Sequence, residues 1–317
     1  MIRRVLLAAL LAAAPTVQAQ EYPSRPIKIV APFPAGGSAD VIPRVIGEKL
    51  SLKWGQPVIV ENRAGAAGNI GAEYVFKAEP DGYTLLSSPP PPLIINPSLY
   101  RNLPFDPTQF VPIGIMVAIP NVVLVNPRVH VNSIRELIAY AKANPDKLNY
   151  ASQGSGTTSH LTGEMFKSMA GVRLTHIPYK GSAPALTDLL AGQVEMMFDN
   201  LGVSRQHVVS GKLKLLAVCS EKRVASLPEV PALAEILPGF EAVAWFGIVA
   251  PPKTPMPIAE KISAAVAEVL KLPDVRKRLA DLSAEAIGST PAEMAAFMKK
   301  DAERWRGVIR SAGVKAD

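Results

Sequence analysis

Two short loops hold most of the residues from which chemistry could be built. The first, Phe33-Pro34-Ala35-Gly36-Gly37-Ser38-Ala39-Asp40, follows an apolar run from Ile27 and leads into an amphipathic segment, Val41 to Leu52. The second, Ser152-Gln153-Gly154-Ser155-Gly156-Thr157-Thr158-Ser159, lies far downstream and also leads into a helical pattern. The N–H groups of a helix's first turn have no partner inside the helix, and the helix dipole puts partial positive charge there. A Gly-rich turn before a helix is therefore an anion cradle that needs no cationic side chain. Gly36 and Gly37 let backbone approach a ligand closely, and Ser38 adds a hydroxyl. An ordinary βα turn with Asp40 as N-cap is the competing reading of the first loop. The second loop offers hydroxyls from Ser155, Thr157, Thr158 and Ser159, where a cap at Ser159 needs only one. Binding is the reading that uses the rest.

A third helix start, Ser182-Ala183-Pro184, has a proline suited to a first turn, and its N–H groups could complete an anion's shell. Asp199, after the run Met196–Phe198, either accepts a hydrogen bond from a ligand or a bridging water, or caps local backbone. Lys180 is the one Lys or Arg in these loops, so a bidentate arginine clamp has no candidate. An anion would be held by backbone N–H groups, hydroxyls and water, with helix dipoles adding ~0.3–2 kcal/mol each.

Enzyme chemistry finds little support. The histidines at 130, 160, 176 and 207 form no ligand cluster. His160 and Glu164 sit one helical turn apart but lack a third ligand, so no metal is expected. There is no Gly-x-Ser-x-Gly elbow and no phosphate loop ending in Gly-Lys-Ser/Thr. Ser155 stands between two glycines without an assignable base. Cys219 reads as a small buried hydrophobe. A binding protein is the favoured class, without cofactor; an exported hydrolase and a periplasmic ligand sensor for a membrane signalling partner are the alternatives.

Short β-rich runs alternate with helical patterns along the chain, the signature of βαβ units and parallel sheets in an α/β protein. Expected pairs include Ile27–Phe33 with Val41–Leu52, Val58–Glu61 with Asn69–Ala78, and Asn149–Ala151 with His160–Ala170. Ser133 followed three residues later by Glu136 reads as a capping box, and Ser289-Thr290-Pro291-Ala292-Glu293 as a helix start. Connections near Val123–Asn126 and Ala244–Gly247 carry the chain between two lobes, giving 20–124 with 246–317 as lobe 1 and 125–245 as lobe 2. A cleft between lobes is a usual place for a ligand.

The 317 residues fit two domains. Arg3-Arg4, the apolar run Val5–Ala14 and the small residues before Gln20 have the layout of a secretory signal peptide, 1–19. Cleavage after Ala19 would remove two arginines and no acid, lowering the formal charge from +7 to +5 and leaving a soluble periplasmic protein. One cysteine permits no internal disulfide. Scattered basic residues, 6% aromatics and export exclude nucleic acid as a partner.

Several motifs, in order, resemble one family. They are Tyr22-Pro23-Ser24-Arg25-Pro26-Ile27 with the Pro34–Asp40 turn, Gly55-Gln56-Pro57-Val58-Ile59-Val60-Glu61-Asn62-Arg63 and Pro80-Asp81-Gly82-Tyr83-Thr84-Leu85. Further on come Leu148-Asn149-Tyr150-Ala151-Ser152, Pro178-Tyr179-Lys180-Gly181-Ser182-Ala183-Pro184-Ala185-Leu186 and Met197-Phe198-Asp199-Asn200. The chain resembles the Bug-type periplasmic receptors of tripartite tricarboxylate transporters over its whole mature length. The resemblance implies a two-lobed type II periplasmic binding fold (a Venus flytrap), each lobe a mostly parallel sheet flanked by helices, with no catalysis. It further implies a carboxylated ligand held between the lobes by a monomer that delivers it to membrane permease subunits. The chain departs from the family at Pro89-Pro90-Pro91-Pro92, where relatives commonly have a small polar stretch. That run is expected to be rigid and extended, making the wall apolar and favouring a hydrophobic or aromatic ligand body, with contacts from Phe33 and Trp245. Ala39, where relatives often carry Thr, removes a hydroxyl. The expected ligand-facing set is Phe33, Ala35, Gly36, Gly37, Ser38, Ser88, Pro89, Ser155, Gly156, Thr157, Thr158, Ser182, Ala183, Pro184 and Asp199.

Overall fold

The computed structural model describes residues 22–224 and 227–314; the expected signal peptide, 1–19, lies outside the described residues. Strand β1 (Ile27–Ala31) lies parallel between β2 (Val58–Asn62) and β3 (Thr84–Ser88), with Ile29 level with Val60 and Leu85. Parallel neighbours need crossovers, supplied by α1 (Ser38–Trp54) and α2 (Asn69–Phe76). In α1, Ile42, Val45, Ile46 and Leu50 recur at helical spacing and are buried, and Gly55 ends the helix in the left-handed conformation.

The molecule is joined by one long strand. The segment 111–120 of β4 (Val111–Val125) pairs antiparallel with β9 (Val243–Ala250), and 121–125 pairs antiparallel with β7 (Met196–Asn200) and β8 (Lys214–Val218). Pro112, Gly114 and Pro120 coincide with its irregularities: the β9 register shifts between Pro112 and Gly114, and partners change after Pro120. Asn121, Cys219 and Ala242 are tied there by backbone bonds of 2.7–3.0 Å. No helix among the described residues is long and apolar enough to cross a membrane.

The second lobe repeats the plan of the first. Strand β5 (Asn149–Ser152) lies parallel between β6 (Thr175–Pro178) and β7. Around it stand α3 (Ile134–Ala143), α4 (Thr158–Ala170), α5 (Ser182–Ala191) and α6 (Leu201–Val209), the last of which sequence periodicity did not reveal. Helices α7 (Met256–Val269), α8 (Pro273–Asp281) and α9 (Pro291–Ala312) return to the first lobe, with β10 (Glu285–Ala286) added antiparallel to β4. Together the strands form a mixed, two-lobed α/β fold: parallel βα units at both ends, antiparallel β4 and β9 between them.

Two local expectations change. The proline run is not extended. Pro90 has φ −52° and ψ −36°, and the N–H groups of Leu93 and Ile94 both reach its carbonyl, opening a single π-helical turn over Pro91–Ile95. A fixed φ near −65° suits a helix start, and the missing donors fall in the first turn, where N–H groups lack helical partners. At α3, Ser133 accepts from the N–H of Glu136 at 3.2 Å, but the returning Glu136 carboxylate takes the N–H of Asn132. The Thr290–Glu293 box closes in both directions.

Candidate functional site

In a parallel βα unit each helix begins beyond the carboxyl end of its strand, so ligand sites gather at that edge. Here β1 leads into α1, β5 into α4, β6 into α5 and β7 into α6. The N-caps of those four helices, Gly37, Thr157, Gly181 and Asn200, line a single cleft between the lobes. Phe33, Pro34, Pro89, Pro91, Ala244 and Phe246 form its apolar wall, while Ser38, Gln153, Thr158 and Ser182 add polar groups. Neither Lys nor Arg appears in that lining, and Lys180 is exposed outside it. The cavity is about 20 Å³, space for roughly one water, because the lobes meet: a Cβ on Gly181 would lie 3.3 Å from Pro34, and one on Gly156 2.9 Å from Leu99.

In the first loop the N-cap is Gly37, not Asp40. Asp40 sits in the first helical turn and reaches back to the N–H of Gly36 at 3.0 Å, while Arg44 and Asn62 donate to it at 2.8 and 2.9 Å. Burial opposes its ionisation, but these donors outweigh burial and hold the carboxyl below the usual range. The Gly36 donor is thereby committed within the loop. The N–H groups of Ser38 and Ala39, at the start of α1, have no helical partner, and the Ser38 hydroxyl is buried without a protein partner.

The second loop spends most of its polar groups on itself. Thr157, rather than Ser159, caps α4, accepting from the N–H of His160 at 3.3 Å and donating to the carbonyl of Gly154 at 2.7 Å. Ser159 donates to the carbonyl of Phe198 and accepts from the N–H of Gln153. The N–H of Gly156 donates to His160 Nδ1 at 3.1 Å, and that of Gly154 to Ser152. The two glycines serve conformation instead, with φ of 132° and 79°. Ser155 is exposed. Thr158 keeps its hydroxyl free at the cleft.

Of the expected set, the cleft brings together Phe33, Gly37, Ser38, Pro89, Thr157, Thr158 and Ser182. Ala35, Gly36, Ala183 and Pro184 are exposed outside the lining, and Ser88 is buried, donating to the carbonyl of Pro89. Asp199 is fully buried behind the lining. Its Oδ1 accepts from Gln153 Nε2, from Ser182 Oγ at 3.1 Å and from the N–H of Asn200 at 2.7 Å, while Oδ2 has no partner. Burial raises its pKa to about 6, against the pull of those donors. Trp245 is not at the cleft: side chains alternate across β9, so Ala244 and Phe246 face it, while Trp245 packs towards α9 and donates to Asp301 at 2.8 Å. Gln153, Asn200 and Phe246 adjoin residues that stood out in the sequence, and period-two alternation was the signal that would have selected Phe246 over Trp245.

The histidine pair is structural. His160 and His176 stack at 4.0 Å, Tyr150 stacks on His176, and Glu164 takes the Tyr150 hydroxyl and Lys167. Among the described residues no group of three or more His, Cys, Asp or Glu is placed to hold a metal ion. Cys219 is buried, which pushes its thiol pKa up and leaves it protonated.

The family model of the tripartite tricarboxylate transporter family receptor matches residues 42–314. R. palustris Rpa4515, solved with adipate, is 37% identical, with a TM-score of 0.90 over 93% of this chain and 99% of that one. The periplasmic binding protein BugD is 39% identical, with a TM-score of 0.87 over 93% and 99%. MatC from Rhodopseudomonas palustris, with bound malate, is 32% identical, with a TM-score of 0.85 over 91% and 100%. A two-lobed fold, a cleft built on helix starts and these likenesses over nearly the whole chain lead to one conclusion: the chain belongs to the Bug-type receptors of the tripartite tricarboxylate transporter family, which are periplasmic solute-binding proteins and not enzymes.

Proposed function

We propose that this receptor captures a small carboxylate between its lobes and delivers it to the membrane permease subunits of a tripartite tricarboxylate-type transporter. The observation that carries the reading is the convergence of four helix starts on one cleft whose lining has no cationic side chain. Such a cleft favours an anion with several acceptor oxygens and stabilises it through dipoles and N–H groups. The carboxylates in two similar structures, adipate and malate, support the same class. Phe33, Pro89, Pro91 and Phe246 favour a hydrophobic or aromatic ligand body beside the carboxylate. The lobes divide near the change of β4 partners, with 20–124 and 246–317 as lobe 1 and 125–245 as lobe 2. Export follows cleavage after Ala19.

A thermal-shift screen of the mature protein against mono-, di- and aromatic carboxylates tests this. A ligand at 100 times its Kd adds about 2.7 kcal/mol of stability. No shift with any carboxylate, alongside a shift with a cationic or neutral solute, overturns the reading. Tight citrate binding with no response to any aromatic or long-chain acid overturns the apolar-body part alone.

A further inference from the structure

Three polar residues of the cleft, Gln153, Ser182 and Asn200, each commit a proton to the protein behind it. Two hydrogen-bond networks start at the lining, and each ends on a group that can only accept. In the first, the buried Asp199 carboxylate takes protons from Gln153 Nε2 and Ser182 Oγ. In the second, Thr162 Oγ1 donates to the peptide carbonyl of Thr158 at 2.6 Å. Its one proton spent, Thr162 accepts from Asn121 Nδ2 at 2.7 Å, and Asn121 Oδ1 then accepts from Asn200 Nδ2 at 3.0 Å. A carboxylate and a carbonyl cannot reverse their roles, so the polarity of both chains is fixed.

What remains at Ser182, Gln153 and Asn200 includes three acceptors, Ser182 Oγ, Gln153 Oε1 and Asn200 Oδ1, beside the second N–H of each amide. Among the described residues, none of these oxygens accepts a hydrogen bond from the protein. The same cleft carries the donors of the helix starts and the Ser38 and Thr158 hydroxyls. Its lining therefore holds two unlike parts. A carboxylate satisfies the donors but offers nothing to the acceptors, which lose water when the cleft closes.

We propose that the ligand is a hydroxycarboxylate, whose hydroxyl donates into the Ser182–Gln153–Asn200 acceptors while its carboxylate lies on the helix starts. The assignment rests on the carboxylate reading above and narrows it. Ser182 and Gln153 are the specificity-determining residues, and Asp199 is a positioning residue that fixes the direction of their protons.

Calorimetric titration at pH 7.5 with matched pairs tests it: succinate against malate, glutarate against 2-hydroxyglutarate, and 3-phenylpropionate against 3-phenyllactate. The hydroxylated member of the best-bound pair should bind at least about tenfold tighter, as expected where acceptors would otherwise be buried unpaired. Ser182→Ala and Asp199→Asn should each cut that preference to below about threefold, with the affinity of the unhydroxylated partner changed far less. If Asp199→Asn fails to fold, Ser182→Ala decides. Equal affinities within every binding pair overturn the inference and leave the carboxylate reading standing. A preference that survives in both variants also overturns it. No binding of any hydroxylated member, where another acid of the wider panel shifts the melting point, overturns this inference alone; no response to any carboxylate removes the carboxylate reading with it.

Discussion

Lys180 is the residue that separates two accounts of anion binding. It is the one base in the ligand-facing loops, yet it is exposed outside the cleft, so a receptor working through helix starts should not need it. Lys180→Ala should change carboxylate affinity less than about threefold in calorimetry, since exposed charges contribute little; abolished binding would refute the dipole account. Ser38→Ala and Thr158→Val, each removing a free hydroxyl, should cost about 0.5–1.5 kcal/mol of binding.

The buried titratable groups also set an acid response at this scale. Burial depresses His160 to about 4, and burial with the neighbouring His160 depresses His176 to about 3. Both therefore bind fewer protons folded than unfolded, so stability is lost as pH falls below about 6.5, by roughly 2 kcal/mol each by pH 4.5. Asp199 runs the other way. Raised to about 6, it binds more protons folded, and stability is gained as pH falls from about 6 towards 4. Two losses exceed one gain, so the wild type should weaken on acidification. Asp199→Asn removes the offset, and its melting temperature should fall more steeply between pH 6.5 and 4.5 than that of the wild type. Parallel melting curves for the two proteins would count against these assignments.

At the scale of elements, the lobes meet through small residues. Gly202, in the first turn of α6, lies against the backbone after α8: a Cβ there would sit 2.6 Å from the carbonyl oxygen of Leu282. Nearby Arg205 donates to the carbonyl of Ala280. Gly202 lies outside the cleft lining and its φ is not in the left-handed region, so Gly202→Ala acts as a wedge between lobes with little backbone strain. Weaker ligand binding, near-unchanged stability and a larger radius of gyration by small-angle scattering are expected with ligand present; full affinity would exclude Gly202 as a closure contact. Thr290→Ala should cost about 1 kcal/mol through loss of the α9 cap, read from denaturant unfolding.

Legibility at this scale followed locality. The α9 start was readable because cap, proline and returning glutamate lie within a few residues of one another. The proline run was misjudged because its φ values suit both an extended segment and a first helical turn; the bonds to the carbonyl of Pro90 made the difference. Trp245 drew attention by size, but strand alternation and its partner Asp301 placed it on the far face.

Over the whole molecule, β4 is the element on which both lobes hang, and α9 packs against both β4 of the first lobe and α4 of the second. A cavity of about 20 Å³ admits no dicarboxylate, so capture requires the lobes to separate and close again. Scattering should show different radii for the free and the carboxylate-bound protein, and identical curves would argue against lobe movement. Mass spectrometry of the exported protein should give an N-terminus at Gln20.

The sequence by itself determined the alternation of strands and helices, the Gly-rich helix starts and the absence of a cationic clamp, because each is a matter of neighbouring residues and backbone chemistry. Tertiary structure alone decided which donors stay free. Asp40, His160 and the Phe198 carbonyl each engage part of a cradle that looked open in the sequence. It also decided the direction of the protons around Asp199 and Asn121, since those bonds join residues tens of positions apart. A hydrogen bond's polarity is set by the last group in its chain, and only the fold brings that group into reach.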